Sequence, residues 1–204
     1  MGATDSLYNT FVGFAGPVIN DDTGFGYGGG RTHQIAYTFN GGNGFSAAIA
    51  LEGGEGDDYL DSYVPHVVGG LGWVGGWGGV TGVLGYDSNY ETIAGKLRAD
   101  FNVGDSVSLF VMGGWSDDEA NFYKGWGGDW AIWGGGSWRF SEKAAFNVQI
   151  NYDDADNFGA VANVEYELVN NFVITPEVAY SDNFDEDDAD EWGGYLRFQM
   201  NWGS

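Results

Sequence analysis

The sequence predicts an all-β protein, a transmembrane antiparallel up-and-down β-barrel of about twelve strands. Apolar and polar residues alternate in segments of about 9–11 residues, the length that a tilted strand needs to cross the apolar part of a bilayer. Aromatic residues stand near the ends of these segments, and the connections between them alternate between short and long. We expect residues 1–204 to form a single barrel domain.

The predicted strands follow one another along the whole chain. Strands in soluble proteins average about 5–6 residues, so segments of this length and regularity favour a membrane barrel. The predicted strands are residues 6–15, 32–40, 44–52, 65–75, 78–86, 92–102, 106–116, 127–140, 144–153, 158–168, 172–181 and 192–202.

The strand at 144–153 shows the alternation most simply. Its apolar positions are Phe146, Val148, Ile150 and Tyr152, and they alternate with Asn147, Gln149, Asn151 and Asp153. A soluble two-layer sandwich gives the same alternation, so this pattern alone does not distinguish the two fold classes.

Aromatic residues supply a second observation. They make up 17% of the chain, and a transmembrane barrel places such residues in a girdle at each membrane interface. The predicted girdle residues are Phe140, Tyr152, Phe158, Tyr166, Phe172, Tyr180, Trp192 and Trp202.

The connections supply the third observation. Short turns are predicted at 40–44, 75–79, 102–106, 141–143 and 169–171, and longer or more acidic connections at 16–31, 52–64, 86–92, 116–127, 153–157 and 181–191. The longer set holds 22 of the 30 acidic residues, so negative charge gathers at one rim. Transmembrane barrels have tight turns on the periplasmic side and longer loops outside, which is the same rhythm.

Composition excludes several other classes. The net charge of −23 disfavours a nucleic-acid partner, and the absence of cysteine excludes disulfides and thiolate metal sites. No apolar run is long enough for a transmembrane helix. Met1 and Gly2 lead directly into polar residues, so we expect a mature chain without its signal peptide, either naturally short or truncated or engineered.

Five segments resemble the general porins of rhizobia and related alphaproteobacteria. They are residues 14–22 (FAGPVINDD), 63–70 (YVPHVVGG), 127–131 (GGDWA), 172–178 (FVITPEV) and 193–199 (GGYLRFQ). The resemblance implies a passive outer-membrane pore for ions and small hydrophilic solutes, with no cofactor, surrounded by lipid and lipopolysaccharide. In the family the barrel has 16 strands and is usually a trimer.

The chain resembles only the C-terminal part of that family. We therefore expect it to lack the first strands and the inward-folded constriction loop, and we expect a water-filled lumen because no segment is left over as a plug. The family commonly ends in phenylalanine, whereas here Trp202 occupies that place and is followed by Gly203 and Ser204. Trimer and monomer both stay open, as does closure of the barrel by one chain.

Charged residues on the polar strand faces are the candidates for charge selectivity. Opposed charges across a wet lumen create a field that selects ions, although the same residues could simply form wall ion pairs. Acids outnumber bases, so we expect a weak preference for cations. The predicted pore-lining residues are Lys96, Arg98, Asp100, Arg139, Glu165, Glu177 and Arg197.

Other functions have weaker support in the sequence. The acidic connections at 55–61 and 182–191 lack an EF-hand pattern, so we expect a cation-attracting vestibule rather than a metal site. An outer-membrane hydrolase would need a catalytic cluster of polar residues, and we expect neither His33 nor His66 to lie in a polar cluster. A non-conducting structural barrel is the remaining alternative.

Overall fold

The computed structural model describes residues 2–117 and 120–202, so Asp118 and Glu119 of one acidic connection lie outside it. Twelve strands form one sheet in which each strand pairs antiparallel with the next, which confirms the predicted topology and strand number. The strands are β1 (Gly2–Asp5), β2 (Arg31–Asn40), β3 (Phe45–Glu52), β4 (His66–Gly75), β5 (Gly78–Asp87), β6 (Thr92–Val103), β7 (Val107–Ser116), β8 (Trp130–Ser141), β9 (Ala144–Asp153), β10 (Asn157–Val169), β11 (Phe172–Asn183) and β12 (Glu191–Met200).

The first predicted strand, 6–15, is wrong. Strand β1 ends at Asp5, and a short helix, α1 (Leu7–Thr10), follows it. Ser6 caps this helix, since its hydroxyl accepts a hydrogen bond from the Tyr8 N–H at 3.1 Å. The apolar residues of 6–15 suit a strand pattern, but they are apolar because they pack against the inside of the sheet.

The sheet buries its polar face and exposes its apolar face. On β6, Lys96 is 3% exposed, whereas the neighbouring Leu97 is 61% exposed. The same contrast holds on β9, where Gln149 is buried and Ile150 is exposed. This arrangement is the reverse of a soluble sandwich and is typical of a barrel whose outer face contacts lipid.

The connections follow the predicted alternation in part, because 88–91 and 154–156 are as short as the turns 41–44 and 104–106. Short turns join β2–β3, β4–β5, β6–β7, β8–β9 and β10–β11 at one end of the sheet, and the opposite end carries the connections 6–30, 53–65, 88–91, 117–129, 154–156 and 184–190. A 3-10 helix (Gly56–Asp58) lies within 53–65. We refer to the two ends as the turn end and the loop end.

The described residues leave two sheet edges without a partner strand. Strand β1 pairs only with Arg31–Gln34, so the edge of β2 from Ile35 to Asn40 is free, and β12 pairs only with β11. In the described part of the chain no helix is long and apolar enough to cross a membrane.

Candidate functional site: the lumen and its inward segment

Residues 6–30, hereafter the inward segment, connect β1 to β2 and lie within the curl of the sheet. Their hydrogen bonds reach β3 at Glu52, β6 at Lys96 and β11 at Glu177. The expectation that no segment is left to occupy the lumen, and that an inward-folded loop is lacking, is therefore wrong. The residues interpreted as a first strand and a long outer connection form this internal segment instead.

Glu52 fixes the start of the inward segment. Its carboxylate accepts hydrogen bonds from the Ser6 hydroxyl at 2.7 Å and from the Leu7 N–H at 2.8 Å. It also accepts one from the hydroxyl of Tyr123, at 3.1 Å, in the connection between β7 and β8. Glu52 is 1% exposed, so these three donors are the compensation for burying its charge.

Lys96 ties the start of the segment to its end. The buried ammonium donates to the side-chain oxygen of Asn9 and, at 3.2 Å, to the Tyr27 carbonyl, and it lies 4.2 Å from the centre of the Tyr8 ring. The Asn9 amide in turn donates to the carbonyls of Gly28 and Gly29. Lys96 thus contacts backbone and rings of the inward segment instead of an open aqueous path.

Arg98 holds the middle of the segment. Its guanidinium donates to the carbonyls of Phe14 and Ala15 and forms an ion pair with Asp100, two residues along the same strand, at 2.7 Å. Arg98 and Asp100, two of the three predicted selectivity residues on β6, therefore pair along the wall rather than across the lumen.

Glu177 and Gln149 hold the far part of the segment. The Glu177 carboxylate accepts from the backbone N–H groups of Ile19 at 2.5 Å and Asn20 at 2.9 Å, and from the Asn163 amide at 2.9 Å. Gln149 accepts from the Gly16 N–H at 2.7 Å. The segment consequently crosses from β3 to β11.

Aromatic packing fills the space between the segment and β4–β8. The Trp133 ring lies 5.4 Å from Phe25 and 5.5 Å from Tyr27, and Tyr8 lies 5.0 Å from Tyr123. Burial of the Tyr8, Tyr27 and Tyr123 hydroxyls raises the pKa of each, so they stay protonated. This side of the lumen is a packed core.

An open cavity of about 460 Å³ lies at the loop end of the segment. Four carboxylates line it, those of Asp21, Asp22, Glu55 and Asp58, and its lining in the described residues includes no lysine or arginine. Burial raises the pKa of the Asp21 carboxyl, and the charge of Asp22 raises it further. The cavity is therefore lined mainly by acidic and uncharged residues.

The remaining predicted pore-lining residues lie near the turn end. Arg139, Glu165 and Glu167 border a cavity of about 210 Å³. Arg197 lies 3.5 Å from Glu165, and both side chains are about 40% exposed. The structure thus brings Glu165, Arg139 and Arg197 to the turn end and separates them from buried Lys96 and Glu177.

His66 lies in a polar cluster, contrary to the expectation for both histidines. Its Nδ1 accepts from the Ser88 N–H at 3.0 Å and lies 3.3 Å from an Asp87 oxygen, while Nε2 contacts the Asp58 carbonyl at 3.1 Å. The Ser88 hydroxyl contacts Nδ1, the same ring nitrogen that Asp87 contacts. The His66 side chain is fully buried. A nucleophile relay needs the hydroxyl and the carboxylate on opposite ring nitrogens, so this cluster ties loops together instead.

The predicted girdle residues divide between the two ends of the sheet. At the loop end, rings contact in series: Tyr180 lies 4.8 Å from Trp192 and 6.2 Å from Phe158, and Phe184 joins Phe158 to Tyr152. At the turn end, Phe172 stacks on Phe198 and Phe140 lies against Trp138. Tyr166 and Trp202 are exposed. Their role as interface anchors stays a prediction.

Sequence reasoning missed several residues that organise the lumen. Glu52, Gln149 and Asn163 are buried polar side chains that bind the inward segment. Their inward direction follows from the alternation along β3, β9 and β10. The sequence carried no signal that a chain segment would lie opposite them.

Comparison with known proteins agrees with this geometry. Porin Omp2a of Brucella melitensis is 48% identical over 215 residues, covering 99% of this chain and 58% of that porin. Porin Omp2b of Brucella abortus is 45% identical over 220 residues, covering 99% of this chain and 60% of that porin. The chain therefore spans a little under two thirds of the length of these relatives.

Two solved structures share the fold. The outer membrane channel DcaP of Acinetobacter baumannii has a TM-score of 0.71 at 16% identity, over 98% of this chain and 70% of that one. An anion-selective porin from Comamonas acidovorans has a TM-score of 0.59 at 16% identity, over 96% and 61%. These two structures show the shared fold, and with the matched family and the Brucella porins the strands are those of an outer-membrane β-barrel. Residues 1–195 match the family described as the porin subfamily, and the chain belongs to that family.

Proposed function

We propose that the chain builds a passive, water-filled pore for ions and small hydrophilic solutes, with a weak preference for cations. The observation that carries the preference is the cavity at the loop end, where Asp21, Asp22, Glu55 and Asp58 face the same space. Carboxylates at a constricted entrance with walls of low dielectric raise the local concentration of cations.

The basic residues of the inner wall do not oppose this field strongly. Lys96 is buried under the inward segment, Arg98 is paired with Asp100, and Arg197 is near Glu165. The anion-selective porin from Comamonas acidovorans is only 16% identical, so its likeness concerns the fold alone. Ion preference in this chain depends on its own charges.

Reversal potentials in a salt gradient across a planar bilayer test the proposal. The unaltered protein should favour potassium over chloride. The double variant Asp21→Asn/Asp22→Asn should lose much of that preference. Asp105→Asn/Glu142→Gln removes the same charge from exposed turns at the turn end, away from the cavity, and should change it little. A preference for chloride in the unaltered protein would contradict the proposal.

A non-conducting structural barrel is the second candidate, because one observation favours it. The inward segment buries much of the inner face from β3 to β9, including Glu52, Trp133 and Gln149. Single-channel recording separates the two functions: stepwise openings support the pore, and a silent bilayer containing folded protein supports the structural barrel.

The free edges of β2 and β12 bear on assembly in the membrane. Unpaired N–H and C=O groups are costly in lipid, so we infer that these edges pair with each other or with further strands. The apolar outer face would contact outer-membrane lipid and lipopolysaccharide. Trimer or monomer would be determined from the mass of the detergent-solubilised, heat-modifiable species.

A further inference from the structure

Two charged residues of the inner wall form hydrogen bonds with backbone groups of the inward segment. Lys96 binds the start and end of the segment through Asn9 and the Tyr27 carbonyl. Glu177 binds its far part through the N–H groups of Ile19 and Asn20. Lys96 is 3% exposed and Glu177 is 6% exposed, so neither side chain offers an open surface to a passing ion.

We propose that Glu177 is a positioning residue, which holds the inward segment against β11 and so sets the width of the pore. Lys96 has the corresponding role at the start and end of the segment. The inference deepens the proposed pore function and rests on it. A selectivity residue acts through its charge on the ion. A positioning residue acts through the hydrogen bonds that it accepts from the two backbone N–H groups.

The local hydrogen bonds explain why Glu177 dominates at this point. Besides Ile19 and Asn20, its carboxylate accepts from Asn163, whose amide also donates to the Pro17 carbonyl at 3.2 Å. Removing the carboxylate leaves two backbone donors near the wall without an acceptor. Such donors find water instead, which draws residues 17–20 away from β11.

Conductance of Glu177→Ala and Glu177→Gln distinguishes the two roles. We expect Glu177→Ala to raise single-channel conductance by about 1.5- to 2-fold, with noisier openings, because pore width governs passage. Glu177→Gln keeps one acceptor oxygen in place and should give a smaller rise. If Glu177 acted through its charge alone, both variants would shift the reversal potential equally and would have the same conductance as each other.

A reversible crosslink supplies the decisive control. The chain has no cysteine, and a Cβ built on Gly16 would lie 3.3 Å from the Gln149 Cβ, just below the range of about 3.5–4.5 Å seen in disulfides. In the Glu177→Ala background, oxidised Gly16→Cys/Gln149→Cys should restore the narrow conductance, and a reducing agent should abolish the restoration. Unchanged conductance of Glu177→Ala, or no effect of the crosslink, would overturn the inference.

A readout independent of conductance separates this inference from the pore proposal. Ala15 is 6% exposed, so Ala15→Cys should react slowly with a small maleimide when Glu177 is present and faster in the Glu177→Ala variant. Equal reaction rates would contradict the positioning role even if the protein conducts. A silent bilayer with faster labelling would refute the pore alone. Heat-modifiable mobility in electrophoresis confirms that each variant is folded.

Discussion

Glu52 offers a quantitative test of how the lumen is held together. It accepts hydrogen bonds from the Ser6 hydroxyl, the Leu7 N–H and the Tyr123 hydroxyl at 2.7, 2.8 and 3.1 Å. These donors belong to the inward segment and to the β7–β8 connection, so one carboxylate joins β3 to both internal elements. The substitution Glu52→Ala removes the acceptor and leaves a cavity among buried groups.

The expected loss follows from the donors left behind. Each hydrogen bond to a charged group is worth about 1.5–3 kcal/mol, and an unsatisfied buried donor costs about 1–3 kcal/mol. The two hydroxyls can rotate toward other acceptors, whereas the Leu7 N–H is fixed by helix α1. We therefore expect Glu52→Ala to lower the free energy of unfolding by about 3–5 kcal/mol, and Glu52→Gln to lower it by about half as much.

Urea unfolding in detergent micelles, followed by tryptophan fluorescence and by heat-modifiable mobility, measures this difference. Glu165→Ala is the matched control, because it removes an acid about 40% exposed whose partner Arg197 is 3.5 Å away. An exposed pair of this kind contributes less than about 1 kcal/mol. Equal losses for Glu52→Ala and Glu165→Ala would refute the assignment of Glu52 as an internal anchor.

Substitutions inside the lumen should destabilise where the same change on the lipid face does not. A Cβ at Gly85 would lie 2.5 Å from the Tyr123 ring, so Gly85→Ala should cost about 1–3 kcal/mol in urea unfolding, while Gly69→Ala, which meets no atom within 4 Å, should change stability by less than about 0.5 kcal/mol. An ordinary aspartate has a pKa of about 3.9. The pKa of Asp21 is raised, so this carboxyl takes up its proton at a higher pH than an ordinary aspartate does. Cation preference should therefore start to fall above that range as the pH is lowered, and Asp21→Asn should remove this early fall in reversal-potential titrations; a profile that the substitution leaves unchanged would contradict the assignment.

The sheet could be predicted from the sequence because each strand carries its own evidence. Alternation along β9, from Phe146 to Asp153, reports which side chains face lipid without any knowledge of neighbouring strands. The loop rhythm similarly depends only on the spacing between strands. Local patterns of this kind determine topology in an up-and-down sheet, where every strand pairs with the next.

The inward segment could not be predicted in the same way. The alternation in 6–15 fits a lipid-facing strand and also fits a segment packed on an internal wall, since both need apolar residues at intervals. What distinguishes them is distant in sequence: Gln149 binds Gly16 and Glu177 binds Ile19. A single sequence contains no record of such long-range pairs.

Prediction of the candidate site was limited in the same way, because it also depends on contacts between residues far apart in the sequence. The alternation of side chains along each strand places four charged residues on the inner face, Lys96, Arg98, Glu177 and Arg197. It does not show which part of the chain covers that face. Lys96 and Glu177 lie under the inward segment and bind its backbone, whereas Arg197 remains 42% exposed near Glu165. Charge count alone therefore overstates the number of residues that can act on a passing ion. Ion preference should depend on the acids lining the cavity at the loop end, whereas pore width should depend on the buried charges that hold the inward segment in place.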